Sequence, residues 1–405
     1  MKVIILSENL KSCAERAMSI CYKNDRSIFS AIRIIADTSS QRLLFSTVKY
    51  VDGAEHNLSK HYVYSSVSCA CTVLEGGSCY IENELFKRLL SMKGEIYLTG
   101  DEETLKASSN KKKAEAPCKK LLDTEVIDIP VIDGDAIVAA NKSYFLQSLK
   151  DLACFTKDKK YHRTHLYNIS ERFGMMRIAV ASYAAALMNQ TEFCIKDSTN
   201  FNIPNFAFDD LKAVAKGSKR DAGEDISIRI NKDYVLISGC DFDYIAPIDH
   251  SEFLDIDRIL PKSYDYKFNT KAKDLYEIAS EYAKLPSIHS EVATYPIYFL
   301  DYNGKVLCGT KRTDYITADF LETENFTRFS SDFVQNFNAK WIKDILSVFG
   351  DVDILVESAE GKGIGGWVIS ESPNPNNTVS KYIAYVLPIK TDGNELEVFK
   401  TFMDT

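Results

Sequence analysis

The residues of this chain best equipped for chemistry are its ten cysteines and six histidines. No two cysteines form a CxxC pair, and the spaced pairs that close a zinc site are missing. Cys69 and Cys71, in "SSVSCACTVL", stand two apart in a stretch that reads as a strand, so they share one face. With no secretory signal in view, the thiols read as small apolar core groups of a cytosolic protein. A catalytic Cys–His pair, such as Cys69 with His61, is the thiol-enzyme alternative, although nothing in the sequence marks that thiol as activated. His162 and His165 lie three apart, with no carboxylate or cysteine at ligand spacing beside them. "GKGIGGW" (361–367) lacks the spacing of a phosphate loop and reads as a hairpin. The expectation is a protein without catalytic residues, metal or cofactor.

The second chemically capable set is cationic. The chain is acidic overall, with formal net charge −8 and a pI of about 5.5, which excludes a uniformly basic surface but not a local basic lining. Its candidate helices nevertheless carry lysine and arginine on their polar sides. Lys11 and Arg16 lie on the first, Lys87 and Arg88 on the second, Lys142 and Lys150 on the third, and Lys212 and Lys216 on the fourth. Toward the C-terminus Lys271, Lys273, Lys340 and Lys343 are partly offset by Asp274, Glu277 and Glu281. A helix with one apolar and one basic face can pack on a sheet and offer cations to a polyanion. Any single surface lysine is ordinary; the trend over several helices carries the reading.

The elements that must position these residues recur. "NELFKRLLSMKGEIYLTGD" (83–101), "DDLKAVAKGSKRDAGEDISIRINKDYVLIS" (209–238) and "NAKWIKDILSVFGDVDILVESAE" (338–360) each read as helix, turn and alternating strand. Gly94, Gly217 and Gly350 stand near the helix ends, where a left-handed residue is wanted. A second helix type precedes each, with Ser7, Asn141 and Asn269 as cap candidates. The chain therefore reads as an α+β protein of three similar domains, 1–130, 131–262 and 263–390, with a C-terminal extension over 391–405. The apolar run in "MKVIILSENL" is too short for a signal peptide, and no stretch approaches membrane-spanning length. A cytoplasmic location without membrane partners is expected.

Between the second and third domains lies "FLDIDRILPK" (253–262), in which Phe253, Leu254, Ile256, Ile259 and Leu260 alternate with charges and stop at Pro261. This stretch resembles the "F-P-x-Y-x-x-V-L-P" connector of the bacterial DNA polymerase III beta subunit, the sliding clamp. "FNAKWIKDIL" resembles that family's "F-N-x-x-Y-L-x-D-x-L" helix, "AYVLPIK" (384–390) its closing strand, and "MKVIILSENLKSCAERA" its start. The resemblance spans nearly the whole chain in the family's order.

The resemblance implies half of a six-domain ring, closed by a head-to-tail homodimer, with helices lining a hole that duplex DNA threads without sequence preference. It places Arg26, Lys11, Lys87, Lys142, Lys150, His165, Lys212 and Lys216 toward DNA. It implies a hydrophobic cleft for short peptides, roughly Q-L-x-L-F, from the polymerase III catalytic subunit and the clamp loader. Carried over by position, that cleft comprises Leu166, Leu254, Ile259, Val386, Leu387 and Pro388, with Asn338 and Trp341 at its rim. The function implied is that of a processivity factor for replication; a clamp-like paralogue with a repair or regulatory role is the alternative.

Three departures stand out. The family's "T-D-G-H-R-L" is here "ASYAAAL" (181–187), with Tyr183, Ala184 and Ala185 at the Gly, His and Arg positions, and Leu254 replaces a proline. Lys284 and Leu285 stand near the expected ring-closing edge. In the extension, "ELEVF" (395–399) itself resembles the peptide ligand, so a tail folded into its own or a neighbour's cleft is one expectation and a disordered polar tail the other.

Overall fold

The computed structural model describes residues 1–21, 28–52, 56–120, 129–153, 166–182, 185–216, 224–261, 263–286, 295–312, 315–328, 334–359, 366–372, 381–389 and 394–405. They form two compact units, Met1–Leu146 with Phe193–Ser251, and Gln147–Glu192 with Glu252–Thr405.

Numbered along the chain, the first unit holds β1 (Lys2–Leu6), α1 (Ser7–Met18), β2 (Ala31–Asp37), β3 (Arg42–Tyr50), β4 (Tyr62–Ala70), β5 (Thr72–Glu75), β6 (Gly77–Glu82), α2 (Asn83–Leu89), β7 (Glu95–Gly100), β8 (Thr104–Ser108), β9 (Lys113–Pro117) and β10 (Val138–Asn141). After α3 (Lys142–Leu152), which runs across the division, it resumes with β14 (Asn200–Pro204), α4 (Asn205–Val214), β15 (Asp225–Ile230), β16 (Tyr234–Ser238) and β17 (Phe242–Pro247). One sheet runs β5-β1-β7-β8-β9, the other β10-β15-β16-β17-β4-β3-β2-β6, all antiparallel.

The second unit holds β11 (Leu166–Arg172), β12 (Met175–Ala181), β13 (Ala185–Cys194), α5 (Ile256–Ile259), β18 (Tyr266–Lys271), α6 (Ala272–Tyr282), β19 (Pro296–Tyr302), β20 (Lys305–Lys311), β21 (Ile316–Leu321), β22 (Glu324–Arg328), β23 (Val334–Asn338), α7 (Ala339–Leu346), β24 (Asp353–Ala359), β25 (Gly366–Glu371), β26 (Tyr382–Val386) and α8 (Glu395–Asp404). Its strands run β11-β12-β13-β26-β25-β24-β18-β22 in one sheet and β21-β20-β19-β23 in the other. Between the two lies Trp367, fully buried, with ring centroids of Phe299 at 4.4 Å and Phe337 at 4.5 Å. Its Nε1 donates to Tyr266 Oη at 2.9 Å, and that hydroxyl lies 2.6 Å from Gln335 Oε1, so the indole N–H and the phenol both have partners.

The repeat is visible in the junctions. Six helices each begin on the residue after a strand: α1, α3 and α6 at Ser7, Lys142 and Ala272, and α2, α4 and α7 at Asn83, Asn205 and Ala339. Asn141 caps as expected, its Oδ1 accepting from the backbone of Ser143 and Tyr144 at 3.1 and 3.3 Å. Ser7 and Asn269 do not cap. Ser7 is already helical and its Oγ accepts from Gly94 N at 3.1 Å, while Asn269 lies inside β18, because the strand continues to the helix without an intervening loop. Gly94 and Gly350 have φ of +81° and +71°, the left-handed turn expected after a helix; Gly217 lies outside the described residues.

Residues 131–262 are shared between the two units. Strands from this stretch are bonded into both larger sheets, β17 to β4 (Ile245↔Tyr64) and β13 to β26 (Ala186↔Tyr385). The extension is neither a disordered tail nor a cleft ligand. Leu396, Phe399 and Met403, at helical spacing, pack α8 on the four-stranded sheet with Leu300 and Leu307, and Phe399 is fully buried. No helix among the described residues is long and apolar enough to cross a membrane.

Candidate functional site

Asp255–Leu260 makes a single helical turn, α5, and Leu260 ahead of Pro261 is extended (φ −61°, ψ 131°). Ile256 is the buried anchor. It joins a cluster with Ala179, Ala186, Met188, Val368 and Tyr385, flanked by half-buried Ala181, Phe253, Ile259, Leu260, Tyr264, Ile383 and Leu387. Burial pushes the Tyr385 hydroxyl up to about 12. Asp257 fastens the connector from its polar side. Its two oxygens accept from Arg172 Nη1 at 2.5 Å and Arg177 Nη1 at 2.9 Å, bridging α5 to β11 and β12. The arrangement is a buried apolar cluster at the β13–β26 seam, covered by the connector through Ile256, with half-buried Phe253, Ile259, Leu260 and Leu387 at its margin.

The expected cleft residues fall into three groups. Ile259 and Leu387 belong to the cluster, Leu254 is 41% exposed beside it in the chain, and Leu166 and Pro388 are half-buried. Val386 is fully buried and faces the other way. It sits opposite Trp367, since side chains alternate along β26 and Tyr385 takes the cluster face. Asn338 is the cap of α7, accepting from Lys340 N at 3.1 Å, and Trp341 is buried on that helix. Tyr385, Ile383, Phe253 and the Arg172–Asp257–Arg177 bridge were missed. Period-two alternation over 382–387 would have found the first two and removed Val386. Tyr183 and Ala184 lie outside the described residues.

The cationic set is more compensated than its sequence suggested. Lys142 is buried in an ion pair with Glu224 and does not face solvent; burial opposes the Glu224 charge, but the Cys240 thiol, Lys142 and the Cys240 backbone N–H hold that carboxyl below its usual range. Arg16 is likewise buried, bidentate to Asp241 at 2.5 and 2.8 Å, with Nε donating to Val214 O at 2.7 Å. Lys11, Lys87 and Lys212 are exposed but each has an acid on its own helix: Glu15 at 3.8 Å, Glu84 at 2.5 Å and Asp209 at 3.1 Å. Lys150 and Lys216 are exposed. Arg26 and His165 lie outside the described residues.

The thiol alternative loses its geometry. His61 precedes β4 and Cys69 lies near its far end, so about eight residues of extended chain, roughly 26 Å, separate them. The Cys69 thiol is pushed far up by the hydrogen bond with Cys13 and by burial, the reverse of activation. Glu224, Cys240 and Asp241 are the one group of metal-type donors among the described residues, and Lys142 and Arg16 already pair its two carboxylates.

Solved structures settle what this backbone is. A DNA polymerase sliding clamp from Pseudomonas aeruginosa superposes with a TM-score of 0.75 at 13% identity, over 96% of this chain and 100% of that one. The beta subunit from Streptococcus pyogenes gives 0.75 at 11% identity, over 96% and 100%. DNA polymerase III beta subunit from Thermotoga maritima gives 0.72 at 14%, over 96% and 99%. The chain has the sliding-clamp fold. No protein-family model matches the sequence, and no curated protein does. At such identities the likeness is one of backbone path. The side chains on the faces of this clamp fold are the chain's own, and Lys142, Asp257 and the cluster beneath Ile256 must be read for themselves.

Proposed function

We propose that the protein is a non-enzymatic DNA sliding clamp: three clamp modules per chain, two chains closed head to tail into a ring, duplex DNA inside, and the apolar margin of the Phe253–Pro261 connector taking short peptides of a replicative polymerase and its loader. The observation that carries this reading is completeness. The likeness covers 96% of this chain and 100% of a solved clamp, which supports a full set of clamp modules.

Two further features support it. β9 and β21 each end a sheet, and an end strand can pair with another chain. β9 is bracketed by Lys111, Lys112, Lys113, Lys119 and Lys120, whereas β21 and its continuation carry Asp319, Glu322 and Glu324, a complementary match for head-to-tail closure. On the DNA side, exposed lysine pairs within one helix are worth little, so Lys11, Lys87 and Lys212 can exchange their carboxylates for phosphates, alongside Lys150 and Lys216. Such weak contacts fix no register and permit sliding.

The mass in solution tests closure. Sedimentation should give twice 45.7 kDa, and a monomer at micromolar concentration contradicts the ring.

A further inference from the structure

The second unit carries a cleft that none of the above uses. α8 has two apolar stripes at helical spacing. Leu396, Phe399 and Met403 take the sheet, whereas Val398 and Phe402 stand on a neighbouring stripe, Val398 half-buried and Phe402 39% exposed. Beside this second stripe lies the end of the β20–β21 hairpin, where Lys311 is opposite Ile316 and Arg312 N donates to Tyr315 O at 2.8 Å. Lys311, Arg312, Tyr315 and Ile316 from the hairpin and Val398 and Phe402 from α8 line an open cavity of about 380 Å³. That volume is within the range of small-molecule sites.

The cations of this cleft are uncompensated. No Asp or Glu lines it, its remaining wall residues are threonines, and Asp314 of the turn lies outside the described residues. Lys311 and Arg312 have no ion pair or side-chain hydrogen bond among the described residues. Asp404, in the last turn of α8, is engaged by the Tyr302 hydroxyl. The Arg312 guanidinium lies over the Tyr315 ring, Cζ 5.7 Å from its centroid. Arg312 Nε and Tyr315 Oη are both shielded from solvent without a hydrogen-bond partner. Two such polar atoms at one wall are costly, and a bound group accounts for them.

We infer that this cleft binds a small organic acid, its carboxylate held by Lys311 and Arg312 and its apolar body laid among Tyr315, Ile316, Val398 and Phe402. A guanidinium fork matches a carboxylate through two parallel hydrogen bonds. Drawing the Arg312 fork toward that carboxylate gives Nε and the phenol the oxygen partner they lack. Two cations beside apolar walls suit one charge on an apolar body. A nucleic-acid strand would need cations spaced along its length. A ligand seated here touches both the hairpin and α8, so binding also fastens the extension to its sheet. The inference stands on the second unit alone and rests neither on the ring nor on the connector peptide.

Titration calorimetry of the full chain with phenylbutyrate and with octanoate tests the site. Phenylbutyramide, which lacks the charge, and acetate, which lacks the apolar body, serve as controls. Saturable binding with a Kd below about 1 mM is expected for the acids and for neither control. Arg312→Gln and Phe402→Ser should each weaken it at least about tenfold, with circular dichroism unchanged, and Leu254→Lys should leave it intact. Saturating acid should slow amide exchange over 395–404 in wild type but not in Arg312→Gln. Since Phe402 is partly exposed, its variant keeps the test open should Arg312→Gln misfold. Four results overturn the inference: no saturation by either acid, a control that binds as well as the acids, wild-type affinity in both cleft variants, or binding abolished by Leu254→Lys.

Discussion

The ring of Phe399 rests on the bare backbone of Gly309. A Cβ at that position would lie 2.5 Å from Phe399 Cε1 and 2.6 Å from Thr317 O, so only glycine leaves room for the ring. Tyr298 flanks it at 5.6 Å, and Tyr302 Oη donates to Asp404 Oδ1 at 2.5 Å near the end of α8. The extension is thus a built part of the second unit.

This contact predicts how α8 is released. Phe399→Ala removes a fully buried ring and should cost about 3 kcal/mol or more of α8 docking. Gly309→Val should reach the same state from the sheet side. Amide exchange over 395–404 should rise in both variants while that over Trp367 and Ile369 stays protected. Protection of α8 that survives Gly309→Val would contradict the packing.

Arg16 is predicted to be structural. Arg16→Ala strands Asp241 and leaves Val214 O without its donor, at a cost of about 3–5 kcal/mol in urea unfolding. Arg16→Lys should recover only part of this, because an ammonium cannot reproduce the bidentate fork. A loss below about 1 kcal/mol for Arg16→Ala would contradict it.

Asp249 makes stability depend on acid. Burial disfavours its charge, but His56 Nδ1 at 2.8 Å and the Ser251 N–H at 2.7 Å hold its carboxyl at about 2, below the usual value near 4. A depressed carboxylate contributes stability above its unfolded pKa and loses it as pH falls toward the folded one. The contribution, about 2 kcal/mol, should be full at neutral pH and disappear between about pH 4 and pH 2. The difference between wild type and Asp249→Asn, followed by unfolding across that window, should shrink toward zero. A difference that is flat with pH would count against the assignment.

At the connector, Leu254→Lys should weaken a labelled consensus pentapeptide about tenfold or more in anisotropy, since it sets a charge beside an apolar cluster. Asp257→Ala should weaken it less and raise amide exchange over 256–260, because Asp257 holds the connector to Arg172 and Arg177 without lining the apolar surface. Equal binding by wild type and Leu254→Lys would remove the peptide from this site.

Much of this architecture could be read from the residues themselves. Helical spacing at Leu85, Phe86 and Leu89, glycines at 94 and 350, and the Asn141 cap mark the repeating strand–helix pairs because each is a local property. The charged side chains were less legible. Whether Lys142 and Arg16 face outward depends on Glu224 and Asp241, which are far away in sequence and brought close by the sheet. Val386 was misplaced by one residue of strand alternation, which turns a side chain to the opposite face. The docking of Phe399 was hidden for the same reason as Lys142: its seat is the absence of a side chain at Gly309.

The central claim is topological, and retention on circular DNA tests it most directly. Loaded onto a nicked plasmid by its cognate loader, the protein should stay bound through gel filtration at high salt and fall off once the plasmid is cut linear. Retention that is equal on circle and linear DNA, or absent on both after loading, would contradict a closed ring.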